Sequence, residues 1–157
     1  MAGSDQAGAD GITRIVEVGA KAETTREATA EAWLLTTSDA VHHLVEGTKK
    51  GSPIETAKVA GIGGVKRTPD LLPHCHPIRV TGAEVEIEPD EHGGRIRVAV
   101  TVRAIDRTGV EMEALTGAAT ASLSLYDTAK AFDRSARIDG IRLLAKSGGA
   151  SGDYRAT

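Results

Sequence analysis

The chain is poor in aromatic residues: of 157 residues only 3% are aromatic, comprising one Trp, two Tyr and one Phe. Any core must therefore be assembled from Ala, Val, Ile and Leu, in a chain that is 40% hydrophobic. Cysteine is nearly absent. Cys75 stands alone, which excludes an intrachain disulfide framework and fits a reducing compartment. Basic residues are not in surplus either. A formal charge of −3 and a pI near 5.9 argue against a protein that grips nucleic acid regardless of sequence. No apolar run approaches the roughly 20 residues of a membrane-spanning helix. The opening "MAGSDQAGADG" lacks the apolar centre of a signal peptide. The expectation is a soluble cytoplasmic protein with no membrane or nucleic-acid partner. Internal repeats and linkers are also missing, so one domain is expected over residues 12–147, between flexible tails at 1–11 and 148–157.

What is present divides into elements. "ITRIVEV" (Ile12–Val18) reads as a short strand. "TREATAEAWLLTT" alternates, with Ala28, Ala30, Ala32 and Leu34 on one side, and reads as a strand despite its helix-forming composition. Ser38 can cap "DAVHHLVE", which Gly47 ends. "SPIE" opens a second helix with Ser52 as cap, Pro53 in the first turn and Glu55 closing a capping box; it should run to about Lys66. Prolines 69, 73 and 77 should then keep the chain out of regular helix. "IRVTGAEVEIE" and "GRIRVAVTVRAI" alternate as strands around a "PDEHGG" turn. "EMEALTGAATASLSLYDTAKAF" is the longest helical pattern, with Leu115, Ala119, Ser122 and Tyr126 at helical spacing. "ARIDGIRLLAKS" is a last strand. From Thr25 the order is β, α, α, β, β, α, β. This is the split β-α-β arrangement of an α+β, ferredoxin-like fold: an antiparallel sheet with helices packed on one face.

Three stretches carry candidate chemistry. In "PHCHP", His74 and Cys75 and His76 suggest a metal or a nucleophile. On an extended segment, however, the two imidazoles point to one side and the thiol to the other. No second Cys pair or HxxxH exists to complete a zinc site. The favoured reading is a rigid pocket wall presenting His76 to a ligand, with no metal. In "GVEMEALT", Glu111 and Glu113 flank Met112. Two readings stand level: acids complementing the helix dipole, or a carboxylate pair for the amine and ring N–H groups of a purine-like or pterin-like ligand. In "YDTAK", Asp127 and Lys130 share a helical face. On a helix otherwise almost without charge, they suggest a partly buried pair suited to proton transfer. "KKG" before the second helix and "KSGGASG" after the last strand place Lys near glycine-rich backbone suited to phosphate oxygens, although no Walker loop occurs.

Taken together, "KAETTREA", "KKGSPIETAKVAGIGGVKRTPDLLPHCHP", "TGVEMEALTGAATASLSLYDTAKA" and "IRLLAKSGGASGD" resemble the MoaC family, the cyclic pyranopterin monophosphate synthases of molybdenum-cofactor biosynthesis. The resemblance runs in uninterrupted order from about Val16 to Asp153. It implies conversion of 3′,8-cyclo-7,8-dihydroguanosine 5′-triphosphate to cyclic pyranopterin monophosphate with release of pyrophosphate. It implies no metal and no organic cofactor. It also implies a homohexamer, a trimer of dimers with active sites at subunit interfaces. Carried over by position, the catalytic residues are Asp127, Lys130 and Lys50. The substrate-binding residues are His74, Cys75, His76, Glu111, Met112 and Glu113, with Arg26, Lys66 and Lys146 toward the phosphates. His74 departs from the pattern, which usually has an aliphatic residue there. The rival readings are a metal-dependent hydrolase built on His74, Cys75 and His76, and a non-catalytic nucleotide-binding subunit of the same pathway. One check comes from the residues themselves. Fourteen positions separate Glu113 from Asp127, roughly 21 Å along a helix. That span exceeds one small ring system and favours a site shared by two chains.

Overall fold

A computed structural model describes residues 11–157; the stretch 1–10 expected to be a tail lies outside the described residues. Five strands form one antiparallel sheet in the order β2-β3-β1-β4-β5. The elements run β1 (Thr24–Leu35), α1 (Ser38–Glu46), α2 (Pro53–Leu71), β2 (Val80–Asp90), β3 (Arg95–Asp106), α3 (Glu111–Ala129), β4 (Arg137–Ser147) and β5 (Tyr154–Arg155). The α+β, split β-α-β reading holds. No helix of the described residues is long and apolar enough to cross a membrane.

β1 is a strand because of its alternation. Ala28, Ala30, Ala32 and Leu34 are buried against the helices, beside Ile96, Val98, Val100 and Val102 of the neighbouring β3. The intervening residues face the other way and carry charge. On that open face Arg103 Nε donates to Glu27 and Nη1 to Glu84, while Arg97 bridges Glu31 and Glu88. Glu31 is buried, which works against its ionisation. Hydrogen bonds from Arg97 and Arg142 outweigh this and hold its carboxyl below the usual range.

The helices pack closely because their contact faces are small. α3 buries Ala114, Ala118, Ala121, Leu125 and Ala129, spaced at helical intervals. The stripe anticipated from Leu115, Ala119, Ser122 and Tyr126 lies mostly one residue aside: Ser122 is buried and the other three are half-buried. Alanines and Gly117 win the inner face since they allow the nearest approach. A Cβ on Gly117 would press into Val65 of α2 at 2.8 Å and Val100 of β3 at 3.0 Å.

Five local expectations require correction. Ile12–Val18 forms no regular strand. Thr37, one residue before Ser38, caps α1 by accepting from the Ala40 N–H at 3.2 Å. α2 continues through Pro69 to Leu71. Proline removes the N–H that would serve the Val65 carbonyl, and the buried Thr68 hydroxyl donates to that oxygen instead at 3.1 Å. Ser52 caps α2 as expected, accepting from the Glu55 N–H at 3.2 Å. The Glu55 side chain, however, pairs with Lys58 at 2.7 Å and leaves the box half made. Beyond β4, Tyr154 and Arg155 add a short edge strand within the segment anticipated as a tail.

Candidate active site

Three features meet at the amino-terminal end of α3. The first is the turn after α2, where the Cys75 N–H donates to the Leu72 carbonyl at 3.0 Å. This turn breaks the extended geometry on which the imidazoles and thiol would part. His74, Cys75 and His76 all line one cleft of about 370 Å³, with Glu111, Met112 and Glu113 opposite. The second is the first turn of α3. Gly109 precedes it, and a Cβ there would collide with the Glu111 carboxylate, so glycine leaves that acid room to turn back. The third is the irregular segment before β1, which closes the cleft with Val16, Val18 and Lys21. His74 Nδ1 donates to the Arg14 carbonyl of this segment at 3.0 Å. The residue that departs from the family pattern thus holds the neighbouring segment of its own chain.

Glu113 is the unusual acid. It is 3% exposed and lines two cavities, the cleft just described and an apolar one of about 490 Å³ that Lys66 also lines. Burial pushes its carboxyl up to about 7, the negative charges of Glu111 and Asp106 add to the rise, and its own backbone N–H opposes it. Burial also raises the Cys75 thiol, with Glu113 contributing. A raised thiol beside an acid is a poor nucleophile. Among the described residues, no group of three or more His, Cys, Asp or Glu side chains is arranged to hold a metal ion.

A second cleft of about 580 Å³ adjoins the first through Lys21, Thr108, Gly109 and Glu111. Arg26 and Lys146 line it, as does Arg107, which the sequence reading missed. Lys146 Nζ donates to Glu111 at 2.8 Å and to the Ser151 hydroxyl at 3.0 Å, tying the loop after β4 to α3. Two clues to the missed cations are local. Arg107 sits next to the Thr108-Gly109 turn that aims α3, and Lys21 follows the turn at Gly19.

The other three expected residues lie elsewhere. Asp127 and Lys130 close the far end of α3, where Lys130 Nζ donates to Asp127 at 2.6 Å. The pair is not partly buried as anticipated. Its side chains are 76% and 55% exposed, because the helix face they occupy points away from the sheet and α2. The hydrogen bond from Lys130 holds the Asp127 carboxyl below its usual range, with Lys50 lowering it further, so the electrostatics bring Lys50 to the same end. The same bond raises Lys130, opposite to the fall toward neutrality that would suit a general base. Within one chain, nine of the twelve expected residues gather around Glu113 and three gather around Asp127.

Comparison with known proteins identifies the family. The model of the MoaC family matches residues 15–149. A cyclic pyranopterin monophosphate synthase of Deinococcus radiodurans is 48% identical over 93% of this chain and 86% of its own length. The protein of the same name from Parvibaculum lavamentivorans is 47% identical over 93% and 92%. That of Streptomyces griseus is 48% identical over 94% and 82%. With the family model spanning most of the sequence and close relatives aligned almost end to end, the chain belongs to the MoaC family.

Proposed function

We propose that the chain converts (8S)-3′,8-cyclo-7,8-dihydroguanosine 5′-triphosphate to cyclic pyranopterin monophosphate, releasing pyrophosphate, as a lyase of molybdopterin biosynthesis. The observation that carries this reading is the pair of adjoining clefts. One offers carboxylates and imidazoles to the amine and N–H edge of a guanine-derived ring. The next gathers Lys21, Arg26, Arg107 and Lys146 around a single acid, Glu111, in a chain whose net charge is −3. Ring recognition beside a cationic recess suits a nucleoside triphosphate.

The chemistry follows from that placement. Closing a cyclic phosphate requires a substrate hydroxyl oxygen to bond the α-phosphorus while the bond to the bridging oxygen breaks. The electron pair leaves with pyrophosphate, and Arg26 and Lys146, with Lys66 at the neighbouring cavity, stabilise its charge. Ring opening and re-closure need protons moved both ways. Glu113, whose carboxyl is pushed up to about 7, holds both forms near neutrality. His76 hydrogen-bonds the ring. Lys50 and Lys130 carry protons, with Asp127 orienting Lys130.

Asp127 and Lys130 stand too far from Glu113 to serve the same ligand within one chain. The reading therefore places the far end of one protomer's α3 over the clefts of another, in a homohexamer arranged as a trimer of dimers. Exposed apolar side chains support such packing: Val59 and Leu71 on α2 and Leu123 on α3 are 72%, 61% and 59% exposed. Docking beside four cations would also lower Lys130 from its raised value toward the proton-transfer range. The working unit is a single catalytic domain over residues 12–147. It belongs in the cytoplasm, where a lone cysteine stays reduced.

Incubating the pure protein with the cyclised nucleotide tests the reading, with pyrophosphate and cyclic pyranopterin monophosphate as the expected products. Tight binding without pyrophosphate would identify a non-catalytic nucleotide-binding subunit instead.

A further inference from the structure

Four arginines of the described residues are half-buried: Arg26, Arg97, Arg103 and Arg107. They fall into two pairs. Arg97 and Arg103, on the open sheet face, each contact two carboxylates. Arg26 and Arg107, at the cationic cleft, contact none. Arg26 donates to the Gly148 and Arg107 carbonyl oxygens at 3.5 and 3.3 Å, and Arg107 Nη1 donates to the Gly19 carbonyl at 3.0 Å. The Nε of each is buried without a hydrogen-bond partner. Half-burying a guanidinium with no carboxylate in contact is costly, and two such groups side by side repel; Asp106 feels the charge of Arg107 but is bonded by the Arg79 N–H. The one acid lining the cleft, Glu111, is already engaged by Lys146. The glycine loop lies directly against the Arg26 guanidinium: Gly149 has φ 82°, and a Cβ there would collide with it. The cleft thus gathers Lys21, Arg26, Arg107 and Lys146 around one acid, and that acid is taken up by Lys146.

We propose that Arg107 is a further ligand of the substrate's oligophosphate, binding alongside Arg26. The inference rests on the triphosphate reading above. A guanidinium presents a planar set of donors that matches phosphate oxygens, and an oligophosphate supplies the negative charge by which the cations of this cleft are underbalanced.

The test is calorimetric titration of the wild-type protein with sodium tripolyphosphate, alongside Arg107→Gln and Arg103→Ala. Glutamine keeps a donor for the Gly19 carbonyl while removing the charge, so the fold is retained; thermal melting checks this. Arg103→Ala removes a half-buried arginine that already has carboxylate partners. We expect Arg107→Gln to weaken tripolyphosphate binding by at least about tenfold, and Arg103→Ala to leave it unchanged. Unaltered affinity in Arg107→Gln, no binding to the wild type, or equal losses in both variants would overturn the proposal. If binding depends on Arg107 but the wild-type protein does not turn over the cyclised nucleotide, the anion site stands and the synthase reading alone falls.

Discussion

The amino-terminal end of α3 sits inside the fold, while its carboxyl-terminal end stands outside it. At the first, Glu113 is 3% exposed, enclosed between two cavities and shifted toward neutrality. At the second, Asp127 and Lys130 are solvent-exposed and neutralise each other at 2.6 Å. Both carry acids, yet the inner end opens onto two cavities and the outer end has a partner of its own making. The difference shows how one helix can serve two sites. It buries Glu113 in its first turn and perturbs that acid, and it leaves an ion pair exposed at its last turn, which the proposed assembly would offer to a neighbour. An exposed pair contributes little to the stability of its own chain. Its role lies in what it meets.

The largest expected effect lies at the outer end. Lys130→Ala should lower the rate of pyrophosphate release by a factor on the order of 10²–10⁴ while leaving the melting temperature within a few degrees of wild type, since the only polar contact it removes is an exposed ion pair. Wild-type turnover in this variant would remove the assigned role.

At the inner end the same kind of change should register in stability. Because the folded carboxyl of Glu113 titrates near 7 and the unfolded one near 4.5, folding favours its protonated form. This group costs nothing below about pH 4.5; its penalty grows as pH rises and is complete above about pH 7. Glu113→Gln should therefore stabilise the chain at pH 8 by up to about 3 kcal/mol, and by close to nothing at pH 4. Thermal melts at the two pH values check this, and the same variant should lose the arm of the activity profile centred near neutrality. An equal shift at both pH values would mean that Glu113 is not perturbed by burial.

The smallest effect belongs to His74. Replacing it with Leu removes one hydrogen bond to the Arg14 carbonyl, worth about 1 kcal/mol at a half-exposed site. Hydrogen exchange in residues 14–21 should quicken, with substrate affinity changing by no more than about fivefold. Loss of activity without faster exchange would place the imidazole on the ligand instead.

Much of this was legible in the sequence. Alternation placed Ala28, Ala30, Ala32 and Leu34 on the buried face of β1, and "SPIE" marked the start of α2, because both signals are local. The end of α2 was not legible. Pro69 is a break signal, and only the tertiary position of Thr68 shows its hydroxyl serving the orphaned Val65 carbonyl. The buried stripe of α3 was misplaced by a residue because hydrophobic size pointed to Leu115 and Tyr126, whereas close packing selects Ala and Gly. His74, Cys75, His76, Glu111, Met112 and Glu113 were placed together by motif and found together in the fold. Arg107 escaped notice because its one local clue, a place beside the Thr108-Gly109 turn, is weak, and its lack of a contacting carboxylate shows only in the fold.

The central claim is that each working site draws its inner residues from one chain and its outer residues from another. Mixing Lys130→Ala with a double variant, Glu111→Gln and Glu113→Gln, that lacks both inner carboxylates and is first shown to be inactive alone, after dissociation and reassembly, tests it most directly. If sites form between chains, random reassociation gives about one site in four two intact halves, and activity should return to about a quarter of the wild-type rate. No recovery in mixtures shown by mass spectrometry to contain both chains in one oligomer would contradict it.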